Sequence, residues 1–232
     1  MGTADHGCWG IGVVTGRYPD PEFFRDVVIR GNRVVNVGNL GIGVSACQRC
    51  TIENNVVVQG QPFGGNAIVA PATDRRSVDD MLNAVTIRNN TVYYPSGISG
   101  TAITLGAEGS GHIVASNAVV SAGGTGGFKC FNLGLAPASY YSDHNLCWFP
   151  PGTPGEWGAG YATLAKWQSA SSLDPASQNA DPKLTNPAAP DYYFIPVSPS
   201  PLVGAGDPRH SCAIDLLGKT RASAPDIGAF QH

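Results

Sequence analysis

The chain has 232 residues, room for one elongated domain with a continuous apolar core. Only 13% of them are charged, against about a quarter in an average soluble domain, while 30 glycines and 18 prolines mark a turn-rich β composition. Fourteen basic and seventeen acidic residues give a net charge of −3 with no basic block, which argues against a nucleic-acid surface, and no apolar run reaches the ~18 residues of a membrane-spanning helix. Met1 to Gly16 also lacks the basic-then-apolar layout of a signal peptide.

In chain order, the first element is Gly10-Ile11-Gly12-Val13, which recurs word for word at Gly41-Ile42-Gly43-Val44. Looser copies follow at Gly65-Asn66-Ala67-Ile68-Val69, at Gly100-Thr101-Ala102-Ile103-Thr104 and at Phe131-Asn132-Leu133-Gly134. After each comes a second unit: an apolar residue, a variable one, a polar one, an asparagine and a short β-branched run. Its copies are Ile29 to Val35, Ile52 to Val58, Ile87 to Tyr93, Val114 to Val120 and a degenerate Ser142 to Trp148. The aligned asparagines, Asn32, Asn55, Asn90, Asn117 and Asn145, are 23, 35, 27 and 28 residues apart. Two markers advancing together, with no helix between them, predict a solenoid whose turns stack at about 4.8 Å.

Strand alternation then puts Ile29, Ile52, Ile87 and Val114 inside, followed by Val34, Val57, Val92, Val119 and Cys147. The asparagines sit at the bend between these strands and are expected to form a structural ladder, since an amide both donates and accepts. Arg30, Glu53, Arg88, Ala115 and Asp143 are expected outward as an exposed salt ladder of little energetic weight. Val35, Val58, Tyr93, Val120 and Trp148 form an outward apolar stripe awaiting a cover.

This pattern resembles the right-handed parallel β-helix proteins of the pectin-lyase-like group, over roughly residues 10 to 149. The segment carrying Ala180-Asp181-Pro182, Asp215-Leu216-Leu217-Gly218 and Asp226-Ile227-Gly228-Ala229-Phe230 is similar to the C-terminal tail of secreted bacterial β-helix proteins. The resemblance implies an all-β, right-handed parallel β-helix (solenoid) of about five coils with an asparagine ladder. Residues 1–149 would form the coils and 150–232 a capping tail packed on the same β-helix. Thr163 to Gln168 has helical spacing, and Trp148, Trp157 and Trp167 are expected as packing aromatics of the cap. The N-terminal end of the stack would need a local lid from Phe23 and Phe24, a second copy of the chain, or a larger parent chain.

Six cysteines admit fifteen pairings, so buried thiols with one or two disulfides are expected without a connectivity. Cys47-x-x-Cys50 lacks the second pair or histidines of a zinc site, and neither metal nor cofactor is expected. Function would sit in the turns after the first strand, where residues 16–26 and 72–81 form long loops flanking Gln48 and Arg49. Candidate binding residues there are Tyr18, Arg49, Asp74, Arg75, Arg76 and Asp79, joined by Lys129 and Asn132 on or beside the first strand. Arg75, Arg76, Glu108 and His112 could support proton abstraction beside a uronate, although a solvated loop network is the plainer account. The outward first-strand positions Gly12, Gly43, Val69, Thr104 and Asn132 carry no acid or base. The resemblance therefore implies a secreted or cell-surface, polysaccharide-recognising protein. A polysaccharide lyase or glycoside hydrolase acting on a uronate-containing polymer is the alternative, and a structural or adhesion module of a larger surface protein is a third.

Overall fold

The computed structural model describes every residue except 1–6, 17–18, 74–75, 135, 159 and 189–191. It is all-β with one short α-helix, and most of its strands fall into three parallel sheets visited in rotation, beside two two-stranded pairings, Phe24–Arg25 with Cys47–Gln48 and, in the tail, Leu184–Asn186 with Tyr193–Pro196. The first sheet stacks Trp9–Val13, Leu40–Val44, Asn66–Ala70, Gly100–Leu105, Phe128–Leu133 and Gly155–Gly158 in sequence order. The second stacks Val28–Arg30, Thr51–Glu53, Thr86–Arg88, His112–Ala115 and Tyr140–Asp143. The third stacks Arg33–Val35, Val56–Val58, Thr91–Tyr94, Ala118–Ser121 and Leu146–Trp148. This arrangement is compatible with a parallel β-helix. Register follows the repeat: Ile29, Ile52, Ile87 and Val114 are cross-strand neighbours, as are Val34, Val57, Val92, Val119 and Cys147. All of these residues lie in one buried cluster.

The first sheet departs from strict alternation. Ala67 and Ile68, Ala102 and Ile103, and Cys130 and Phe131 are consecutive residues, yet each pair is buried. The first of each pair faces the third sheet, which explains the small residues found there. A Cβ on Gly41 would lie 2.6 Å from Val57 Cγ1 and 2.6 Å from the Ala67 carbonyl. Three turns later in the stack, Cys130 uses the same position to form a disulfide with Cys147 of the third sheet.

Between the second and third sheets the chain turns on two residues with opposite duties. Gly31, Asn54, Asn89, Ser116 and His144 adopt left-handed φ values of 50 to 72°. The asparagine that follows each one turns inward. Asn55 donates its main-chain N–H and one amide hydrogen to Asn90 Oδ1 at 3.1 and 3.0 Å, and the other amide hydrogen to the Ile29 carbonyl at 2.9 Å. Asn90 and Asn117 repeat the pattern toward Asn117 and Asn145. The last rung, Asn145, donates to Ser177 Oγ and Asp174 Oδ1. Asp174 is anchored in turn by the indole N–H of Trp167 at 2.8 Å. That tryptophan belongs to helix Leu164–Ser171, which Thr163 caps through its hydroxyl. The expected cap thus finishes the ladder, and Trp157 and Trp167 are buried in the main core.

The preceding, left-handed residues hold the tail. His144 Nδ1 contacts the Ala205 carbonyl, Ser116 Oγ accepts from Asp207 N, Asn89 Oδ1 accepts from Cys212 N, and Asn54 Nδ2 donates to the Ile214 carbonyl. Tail numbers rise as coil numbers fall, so the tail runs back along the stack. Arg221, 8% exposed, clamps it by donating to Asn54 Oδ1 and to the Asp226 and Gly228 carbonyls. Phe194, Ala229 and Phe230 cover Val58, Tyr93 and Val120 of the apolar stripe. At the other end of the stack, Phe24 packs on the core while Phe23 is 54% exposed.

This cover corrects the expected exposed salt ladder. Glu53 is 3% and Asp143 7% exposed, and Ala115 is fully buried. Arg88 donates to Glu53 at 2.8 Å and to the His210 carbonyl at 3.1 Å, while Arg30 approaches Glu53 from the other side at 3.4 Å. The alternation in sign was legible, but its burial depends on where the tail lies. Arg88→Ala should therefore cost about 2 kcal/mol in urea unfolding, because it leaves a buried carboxylate with only the more distant Arg30 as partner. Asn90→Leu should cost more, about 3 to 5 kcal/mol, since it removes acceptors and donors from both neighbouring rungs. A variant of Asn90 that melts like the parent would rule out the ladder's structural role.

Candidate functional site

The turns after the first sheet are built around Cys47 and Cys50, which form a disulfide that pins the short turn carrying Gln48 and Arg49. Phe24–Arg25 pairs in parallel with Cys47–Gln48, laying the long loop of residues 16–26 against it. The loop of residues 72–81 arrives from the other side. Instead of standing apart as the walls of a groove, the two loops bond to each other. Arg76 donates to Asp79 Oδ1 and to the Asp20 carbonyl, both at 2.7 Å, and approaches Glu22 at 3.5 Å. Asp79 Oδ1 also accepts from Glu22 N at 3.0 Å. Asp80 binds Arg25 at 3.1 Å and Gln48 at 3.0 Å. Arg49 forms a two-pronged pair with Asp26, with both bonds at 2.7 Å. Tyr18, Asp74 and Arg75 lie outside the described residues.

Charge follows this geometry. The Arg76 guanidinium, helped by main-chain N–H donors, holds the Asp79 carboxyl down at about 2. Arg49 likewise lowers Asp26. Loops held together by such pairs form a cross-linked surface.

The turn of coil four is committed to structure as well. His112 Nδ1 accepts from Val85 N at 3.1 Å, which leaves the proton on Nε2, 2.8 Å from the Glu108 carbonyl. His112 is 1% exposed, and burial pushes its imidazole toward the neutral form. Both nitrogens are thereby engaged by main chain, so proton abstraction would require breaking one of these bonds. Glu108 Oε2 accepts from Leu82 N at 3.3 Å.

Two other features bear on function. The outward face of the first sheet carries Thr101, Lys129 and Glu156 in one cross-strand row, with Lys129 and Glu156 paired at 3.0 Å, while earlier in the sheet Asn66 lies beside buried Leu40. Val69, Thr104 and Asn132 form a second row, and Asn132 is exposed. Gly43 in that row is buried, since Leu40 and Ala72 crowd the space a side chain would fill. Beside coils four and five the tail adds a polar cluster that sequence reasoning missed. Tyr141 donates to Asp207 at 2.6 Å and accepts from Arg209 at 2.7 Å, and His210 lies against its ring at 4.7 Å. Burial, and then Asp207, push the Tyr141 phenol up, so it acts as a fixed donor. The run Asp207 to His210 was visible as charge, but its partner Tyr141 is 66 residues away. Tyr141, Arg209 and His210 border a shallow cleft of about 360 Å³ that also includes His112.

The sequence matches no protein-family model, and no curated protein matches it.

The loop contact makes an acid-side prediction. Asp79 is depressed in the folded state, so its stabilising contribution is present above the unfolded value of 3.8 and is lost as pH falls toward about 2. The melting-temperature gap between the parent and Asp79→Asn should accordingly be full at pH 5 and shrink steadily below pH 4.

Proposed function

We propose that the chain is an extracellular, polysaccharide-recognising β-helix protein of the pectin-lyase-like type, with the polymer lying along the first-sheet face and its adjoining turns. The observation that carries this reading is the pair of cross-strand rows on that face. Amide, hydroxyl and paired charged groups recur there on the four strands from Asn66–Ala70 to Gly155–Gly158, at the ~4.8 Å strand spacing, and the tail's contacts fall on the other two sheets. A stiff array of donors and acceptors suits an extended, hydroxyl-rich chain and gives little purchase to an apolar partner. The disulfides Cys47–Cys50 and Cys130–Cys147 support an oxidising, extracellular setting.

Binding is favoured over lyase or hydrolase chemistry because His112, Glu108 and Arg76 are each engaged in holding turns together. Electrophoresis through gels loaded with neutral or uronate-rich polysaccharides tests the reading. The parent should be retarded by at least one polymer without releasing products. Thr104→Val with Asn132→Leu should reduce that retardation several-fold while the melting temperature holds. Retardation untouched by the double variant would remove the first-sheet face from consideration, and new reducing or unsaturated ends would select the enzyme.

A further inference from the structure

The tail does not seal the whole apolar stripe. Where it crosses the last strands of the third sheet it leaves a cavity of about 390 Å³, bordered by Tyr93, Val120 and Trp148 below and by Asp181, Lys183 and Leu184 above. That size lies within the range of small-ligand sites. Tyr93 is only 6% exposed, and among the described residues nothing hydrogen-bonds its hydroxyl. The ring is buried, but the hydroxyl oxygen itself is not sealed off, so it is open to a ligand entering the cavity. The indole N–H of half-buried Trp148 is likewise without a partner among the described residues. Its ring also differs from those of the cap. Trp157 lies 5.2 Å from Phe131 and Trp167 lies 5.6 Å from Tyr161, whereas the Trp148 ring has no aromatic neighbour among the described residues. At the rim, Lys183 Nζ and Asp181 Oδ2 pair at 3.0 Å, and both side chains are about half exposed.

We propose that this cavity binds one neutral pyranose unit, with the apolar C–H face of the sugar on the Trp148 indole. Its hydroxyls would meet Tyr93 Oη, Trp148 Nε1 and the Asp181–Lys183 pair. The chemistry narrows the ligand in three steps. A wholly apolar guest would leave the phenol and indole donors unmatched. A uronate would meet the Asp181 carboxylate, and Lys183 is already neutralised by that carboxylate. A ring with one apolar face and a hydroxylated edge satisfies both halves, because the Asp181 carboxylate accepts from one hydroxyl while the Lys183 ammonium donates to its neighbour. The site lies on the third sheet and is independent of the first-sheet reading.

The test follows the four indole N–H resonances of the intact protein by NMR, with Trp148 assigned from Trp148→Phe. Methyl glycosides of neutral hexoses, a uronate, and a planar heteroaromatic are titrated in turn. A neutral glycoside should move the Trp148 signal saturably and leave those of Trp157 and Trp167 in place. Tyr93→Phe, which removes only the hydroxyl, should weaken binding about 3- to 10-fold, as expected for one hydrogen bond. Lys183→Met at the exposed rim should weaken it as well. Thr104→Val with Asn132→Leu should leave this titration unchanged, so failure here and failure of the first-sheet reading are distinguishable. The proposal is overturned if no neutral glycoside moves the Trp148 signal up to tens of millimolar. It is equally overturned if Tyr93→Phe binds as the parent does, or if the heteroaromatic or the uronate binds more tightly.

Discussion

A parallel stack must turn its chain sharply once per coil, and at each sharp turn main-chain groups end up inside the core with no strand to pair them. The inward asparagine answers that need at every level from Asn32 to Asn145. Its carboxamide supplies two donors and an acceptor in a plane, which is what the main chain of the coil before and the coil after each require. The ladder cannot end on an asparagine without leaving donors unmet. Asp174 and Ser177 provide the last acceptors, and Trp167 fixes Asp174 in place. The helix, although short, is therefore part of the ladder's chemistry as well as a lid on apolar residues.

The same turns determine where the tail goes. A left-handed residue before each asparagine directs its side chain outward, and Asn54, Asn89, Ser116 and His144 use that direction to bind the returning chain. One dipeptide thus serves the interior and the exterior together. Once the tail is docked, Glu53 and Asp143 are buried between sheet and tail, while Arg30 at the end of the column stays exposed as expected. From Asn66 to Glu156 the first sheet keeps its outward polar groups open to water, which is why the polymer-binding reading rests there.

The long turn loops show how charge serves stability where the sequence pattern points to a groove. Arg25, Arg76, Asp79 and Asp80 tie two loops from different coils across the turn between them. With charge so scarce in this chain, a local concentration of it draws attention as a site. Here most of it is consumed in mutual pairing, and His112, whose residue type suggests catalysis, is locked between Val85 and Glu108.

The sequence by itself determined the repeat, the inward residues of the second and third sheets, the ladder asparagines and the helix at the cap. Each of these depends on a local period or on one residue's bonding capacity, and both can be read along a line. The tertiary structure alone decided the pairing of Cys130 with Cys147 and the small-residue position behind Gly41. It also decided the burial of Glu53, the contact of Tyr141 with Asp207 and the cavity at Trp148. Those features arise where the tail or a neighbouring sheet meets a coil dozens of residues away. The docking free energy is spread over many weak contacts, with no short motif to announce it.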